Sequence, residues 1–295
     1  MPVRARVRRL CALVTVGGLI VAGCGSSDDD DDADGDADGE AAASCAADDL
    51  PLVEEGTLTI GTDDPAFPPW FEDDDPTNGE GFEGAVAAAV AEELGFAGDQ
   101  VDWITVAFNN AFAPGEKDFD FDINQVSISP ERDEAVDFSD GYYDVNQAIV
   151  GFSDSEAADA TTLDELRGLK LGAQLGTTSL DFINDVIQPE QEAFVYNDNN
   201  AAKAALDAQQ VDGIVLDLPT AFYVSSVEIE GTAVIGQFPA GGDAPEQFGM
   251  VFEEGNPLRD CVNEALATLE SSGRLDEIEQ QWLSEATDAP VIPLD

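Results

Sequence analysis

The chain has 295 residues, with 11 Lys and Arg against 63 Asp and Glu, no His, and a formal net charge of −52. This balance argues against nucleic acid and anionic lipid headgroups as partners, because phosphate contacts need cations in number. Hydrophobic content of 43% suffices for real cores, and the length allows one large domain or two lobes of ordinary size.

The N-terminus opens with Arg4, Arg6, Arg8 and Arg9, followed over residues 10–21 by an apolar run too short for a comfortable membrane span. The run ends Val21-Ala22-Gly23-Cys24. This order resembles a lipobox, which implies a signal peptide over residues 1–23 and a lipid on Cys24; the other reading is an ordinary signal peptide ending in small residues. Residues 25–44 contain nothing apolar larger than Ala and include Asp28 to Asp32 in succession. Such a segment cannot offset the entropy of ordering, so 24–44 is expected to be a solvated tether reaching about 25 Å r.m.s.. Cys11 leaves with the leader and Cys24 takes lipid, which leaves Cys45 and Cys261. An even pair in an exported protein predicts a disulfide, with two buried thiols as the alternative.

Residues 58–62 alternate as a strand, and the Pro-rich 63–70 follows as a loop carrying Asp63, Asp64, Phe67 and Trp70. Residues 83–94 read as a helix with Ala85, Val86, Ala89, Val90 and Leu94 on one face and Gly95 as its stop. Residues 101–106 give a second strand, so βαβ winding begins here. The apolar positions Phe119, Phe121, Ile123, Val126 and Ile128 predict a strand ending in the hydroxyls of Ser127 and Ser129, after which Pro130 opens a helical turn. Arg132 then lies just past the strand end. It reads either as a planar fork for a carboxylate or as a surface ion pair with Asp133 or Asp137.

Residues 142–150 continue as a strand. Thr161-Thr-Leu-Asp-Glu-Leu166 carries a capping pattern, and 169–178 runs strand to turn to helix. There Gly176 permits close backbone approach, and Thr177 and Thr178 place hydroxyls and amides at a helix start, which either cap the helix or hold an anion. Residues 211–217 form a strand ending in Asp217, which either caps the helix that follows or faces a ligand. Residues 247–252 form a returning strand. Two amphipathic helices follow, one from Asn256 broken at Gly273 and one through Leu275, Ile278, Trp282 and Leu283.

The run Ser127-Ile-Ser-Pro-Glu-Arg132, followed by Val136-Asp-Phe-Ser-Asp140 and Tyr142-Tyr143, resembles the signature of the family 3 solute-binding proteins, the extracytoplasmic receptors of polar amino acid ABC importers. The resemblance extends from about Gly56 to about Leu283. It implies an α/β, two-lobed periplasmic-binding-protein-like fold of type II, with a discontinuous first lobe and two crossing hinge strands. The first lobe would hold residues 45–146 and 249–286, the second 147–248, with a tail over 287–295. It also implies that Ser127 and Arg132 hold a ligand α-carboxylate, that Thr178 grips it from the second lobe, and that Asp217 accepts the α-ammonium. Phe67 matches the aromatic over the ligand, although it also suits a core.

Gly81-Phe-Glu-Gly-Ala-Val86 departs from the family pattern, because the acidic residue usual after the phenylalanine is missing, with Gly84 and Ala85 in its neighbourhood. Asn124 and Gln125 replace small residues and would suit a polar ligand side chain, while Asp63 and Asp64 near Phe67 would attract a basic one, with Asp64 the expected ligand contact. The implied function is a monomeric, non-enzymatic amino acid receptor, anchored by lipid on Cys24 and docking on an ABC permease, with no cofactor, metal or nucleic acid. Two alternatives stand beside it. One is a cyclohexadienyl dehydratase-like enzyme on the same fold, which would have only carboxylates or a Lys as general acid. The other is a sensory or surface lipoprotein without an importer.

Overall fold

The computed structural model describes residues 45–238, 245–283 and 289–294. The expected signal peptide, the lipidation site Cys24 and the tether therefore lie outside the described residues.

Strand β1 (Leu58–Thr62) leads through the loop to helix α1 (Phe82–Glu93), strand β2 (Val101–Thr105) and the short helix α2 (Phe108–Ala111). Then come β3 (Phe121–Asp122), the single-turn helix α3 (Pro130–Asp133) and β4 (Asp137–Phe138). Strand β5 (Tyr143–Val145) begins the passage to a second sheet, formed with β6 (Gln147–Phe152). Helix α4 (Leu163–Leu166), β7 (Leu171–Gln174), α5 (Thr178–Asp181), β8 (Phe194–Tyr196) and α6 (Asn199–Asp207) follow. After β9 (Gly213–Asp217), α7 (Leu218–Tyr223) and β10 (Thr232–Phe238), the chain returns through β11 (Glu246–Phe248) and β12 (Val251–Phe252). Helices α8 (Leu258–Ser272) and α9 (Arg274–Trp282) complete the first lobe.

Among the described residues the first sheet has the order β2-β1-β3-β12-β4 and the second β10-β6-β9-β7-β8. The β1–β2, β1–β3, β7–β8 and β7–β9 pairs are parallel, while β12 and β6 run antiparallel to their neighbours. Val86 and Val90 of α1 share one buried cluster with Leu58 and Ile60 of β1 and with Val262, Leu266, Leu269 and Ile278 of α8 and α9. In the second lobe the period-2 alternation of strands sorts residues to two faces. Ile149, Leu171 and Val215 meet Leu180, Ile183 and Ile187, whereas Val150, Ile214 and Leu216 meet Ala202, Leu206 and Val224. Both faces are covered by helices, as parallel strands require.

The lobes are joined where β5 pairs antiparallel with β11, Tyr143 opposite Phe248 and Val145 opposite Glu246. The disulfide forms between Cys45 and Cys261, pinning the start of the described chain to α8.

Three expectations change in detail. The long strand read through residues 119–128 pairs only at Phe121–Asp122, with an isolated bridge from Ser127 to Phe248. Gln125 takes a left-handed backbone (φ 49°), which breaks the ladder. The strand read over 142–150 divides at Asn146, whose carbonyl accepts from Leu218 N instead of a strand neighbour. Within the segment expected as a tail, residues 289–292 return to the second lobe alongside β10. Gln237 donates to Pro290 O at 2.7 Å, Ile292 donates to Gln237 O at 3.0 Å, and the Ile292 side chain is buried in the second lobe's core.

Candidate functional site

In open α/β sheets, side chains used for binding collect beyond the carboxyl ends of the parallel strands. Here those ends face one another across a cleft. Its lining combines Thr62, Asp63 and Phe67 after β1, Ser127 and Arg132 after β3, Thr178 after β7, and Asp217 at the end of β9.

Arg132 is set by α3. Ser129 caps that turn by accepting from Arg132 N at 3.3 Å, and Pro130 occupies its first position. The guanidinium is buried and stacks over Phe112, 4.4 Å from the ring centre, with Phe108 at 5.7 Å. Its Nη1 donates to Ser127 O at 2.6 Å and its Nη2 to Gly176 O at 2.9 Å, which ties the first lobe to the second. The surface pairing with Asp137 is not made, since that carboxylate lies 3.5 Å from Arg259. Burial pulls the Arg132 pKa down, and Glu246, Asp181, Asp217 and Glu131 push it back up.

The backbone after β7 explains how the lobes come so close. Gly176 has φ 79°, and a Cβ there would lie 2.1 Å from Asn109 Oδ1 of the first lobe. Thr177 caps α5 by accepting from Leu180 N at 3.2 Å, so the capping role falls to Thr177. The Thr178 hydroxyl is left to the cleft, 3.4 Å from Ser127 Oγ and 3.4 Å from Gln147 Nε2.

Asp217 stands at the cap position of α7 yet makes no side-chain cap bond. Its carboxylate instead accepts from Gln147 Nε2 at 3.1 Å. Burial first, and then the nearby Glu246, push Asp217 up to about 8, against the opposing pull of Gln147 and Arg132.

Phe67 lines the cavity, and Lys203 of α6, paired with Glu228 at 2.8 Å, sits 4.4 Å from its ring centre. Asp64, expected to face the ligand, is instead exposed and outside the lining, and Asp63 lines the cavity in its place. Two amides hold the Asp63 carboxylate inward: Asp64 N at 2.8 Å and Phe108 N at 3.2 Å. Trp70 wedges the loop, edge-on to Phe82, Tyr143 and Phe248, and its Nε1 also reaches Thr220 Oγ1 of the second lobe at 2.8 Å.

Gln125 lines the cavity in its left-handed conformation because Glu83 holds it there, accepting from Gln125 N at 2.7 Å and from its side-chain amide. Tyr142 OH donates to the same carboxylate. Glu83 directly follows Phe82, ahead of the Gly84 and Ala85 that stand where the family's acidic residue falls. Burial raises its pKa to about 7.

Three participants escaped the sequence reading: Glu83, Gln147 and Glu246. Glu83 carried a local signal, a carboxylate on the apolar face of a helix. Gln147 and Glu246 carried none, since their meeting with Asp217 and Ser127 depends on pairings 70 and 119 residues apart.

A two-lobed α/β protein with opposed charged groups in the cleft between its lobes is a type II solute-binding protein. The model for bacterial extracellular solute-binding proteins, family 3, matches residues 58–285, and the chain belongs to this family. It is 28% identical over 232 residues to the L-cystine-binding protein TcyJ of Escherichia coli K12, covering 78% of this chain and 83% of that protein. It is 26% identical over 223 residues to the arginine-binding extracellular protein ArtP of Bacillus subtilis 168, covering 72% and 82%. Among solved structures, an ancestral arginine-binding protein bound to glutamine superposes with a TM-score of 0.66 at 30% identity, over 78% of this chain and 99% of that one. The ancestral amino acid-binding protein AncCDT-1, a precursor of cyclohexadienyl dehydratase, gives 0.64 at 28% identity over 77% and 95%.

Proposed function

We propose that this chain is the extracytoplasmic receptor of an ABC importer, held at the membrane by lipid on Cys24, and that it closes its lobes on a free amino acid and delivers it to the permease. The observation that carries this reading is Asp217. A carboxylate that leaves its own helix uncapped and turns into a cleft opposite a buried guanidinium suits a zwitterion, whose two charges would compensate both. The named relatives, which bind cystine, arginine or glutamine, support the same class of ligand. Closure is a hinge motion about β5 and β11, and ligand shifts it by its differential affinity for the closed form.

Thermal unfolding with L-arginine, L-cystine and L-glutamine tests this reading, since a ligand of the native state raises the midpoint. At least one of the three should do so after refolding to strip carried ligand. Arg132→Ala and Asp217→Asn should each remove about 2–5 kcal/mol of binding while the protein stays folded. Full affinity in both variants would refute the site.

The likeness to AncCDT-1 supports a second reading, a dehydratase using the cleft-lining Asp217 as general acid, because burial pushes its pKa up to about 8. Turnover of arogenate or prephenate would establish it. Unchanged recovery of both compounds would dismiss it.

A further inference from the structure

Glu246 opens the second crossing strand, and its carboxylate meets Ser127, which lines the cleft, and Gln147, which also holds Asp217. Ser127 Oγ donates to Glu246 Oε1 at 2.6 Å. A hydroxyl has one proton. Once that proton goes to Glu246, Ser127 presents only lone pairs to the cleft, which suits a cation and offers nothing to a carboxylate. Gln147 completes the arrangement. Its Oε1 accepts from Ser179 at 2.6 Å, which turns its Nε2 toward both Asp217 Oδ1 at 3.1 Å and Glu246 Oε2 at 3.2 Å. One neutral amide thus serves two carboxylates drawn from different strands.

We propose that Glu246 is a further ligand-positioning residue: by taking the Ser127 proton and facing Asp217, it forms an anionic pole that directs the ligand's ammonium group to this end of the cleft. The carboxylate of such a ligand then falls to Arg132 and Thr178, and Ser127 moves from the carboxylate grip to the ammonium side. This inference rests on the amino acid receptor reading and adds a residue to the ammonium end of its site.

The charge of the pole is read through Asp217. The groups facing it are Glu246 on β11, Arg132 on α3 and Glu83 on α1, with the phenols of Tyr142 and Tyr143 beside β5. An ammonium binds when Asp217 is ionised, so affinity rises with pH through the Asp217 titration. Removing the Glu246 charge lets Asp217 ionise at lower pH, and the rise moves down with it. Above both ranges the variant keeps one anionic contact fewer and binds more weakly.

The test compares the mature chain with its Glu246→Gln variant, which is close in shape and whose folding is checked by thermal unfolding. Calorimetry with L-arginine, L-cystine and L-glutamine gives affinity against pH. Carboxyl-carbon NMR of the unliganded proteins gives the Asp217 midpoint, with its resonance identified in Asp217→Asn. The expected result is a lower Asp217 midpoint in Glu246→Gln, an affinity rise displaced by the same amount, and about tenfold weaker binding at the alkaline plateau. Superimposable affinity profiles, or an unmoved Asp217 midpoint, would overturn the proposal. If the wild type binds none of the three amino acids, the receptor reading fails by itself. The Asp217 midpoints still decide whether Glu246 sets the charge of this pole, and an unmoved midpoint overturns it there too.

Discussion

Glu83 shows how one side chain couples stability, geometry and pH. It is fully buried at the start of α1 and accepts from both Gln125 groups and from Tyr142. Burial lifts its pKa to about 7 against those bonds, and Asp217 is lifted to about 8. A carboxyl whose folded pKa lies above its unfolded value adds stability that is fully present below the unfolded pKa, near pH 4, and is lost as pH rises through the folded pKa. The unliganded protein should therefore lose thermal stability between about pH 5 and pH 8. Glu83→Gln, neutral throughout, should flatten that slope, as thermal unfolding at a series of pH values would show; an unchanged slope would refute the assignment. Asp122 adds to the trend, since both its oxygens are buried with no partner among the described residues and its pKa is raised well above the ordinary carboxyl value. Gly61 is part of the reason it fits: a Cβ there would lie 2.8 Å from Asp122 Oδ2.

At the scale of elements, the close approach of the lobes depends on the turn between β7 and α5. Gly176 lies in the left-handed region, its carbonyl accepts from Arg132, and Asn109 occupies the space a side chain would need. Gly176→Ala should cost about 1 kcal/mol of stability from the backbone alone. It should also weaken ligand binding, because Asn109 and Arg132 both cross the cleft at this point. Denaturant unfolding and calorimetry measure the two effects separately, and unaltered affinity would show that closure does not need this contact. Near the end of the described chain, residues 289–292 add to the edge of β10. Gly236 makes room for it, since a Cβ there would meet Ile292 Cδ1 at 2.4 Å.

For the molecule as a whole, the Cys45–Cys261 bridge spans 216 residues and encloses nearly all of both lobes. Constraining so long a loop in the unfolded chain is worth about 5 kcal/mol on the chain-entropy model. The double variant Cys45→Ser, Cys261→Ser should accordingly lose about 3–5 kcal/mol by denaturant unfolding while retaining the cleft. A loss below about 1 kcal/mol would place the bridge's role elsewhere than in folding stability. Cys45 is the first described residue, so the bridge also fixes the site on the first lobe at which the preceding chain arrives.

Sequence by itself determined most of what is local. Helix α1 was legible because its apolar spacing and the stop at Gly95 are properties of a dozen consecutive residues. The Thr162 capping box and the Pro130 turn were legible for the same reason. The signature around Arg132 identified the family, and with it the two-lobed architecture. Tertiary structure decided what depends on distant partners. Asp217 could have capped α7 until strand pairing set Gln147 opposite it. Asp63, and not Asp64, entered the cavity because the Phe108 amide holds it there. Glu246 met Ser127 only through the return of the second crossing strand. A buried polar group takes its role from whichever donor or charge the fold brings within about 3 Å, and over separations of 70 to 119 residues no local pattern records that choice.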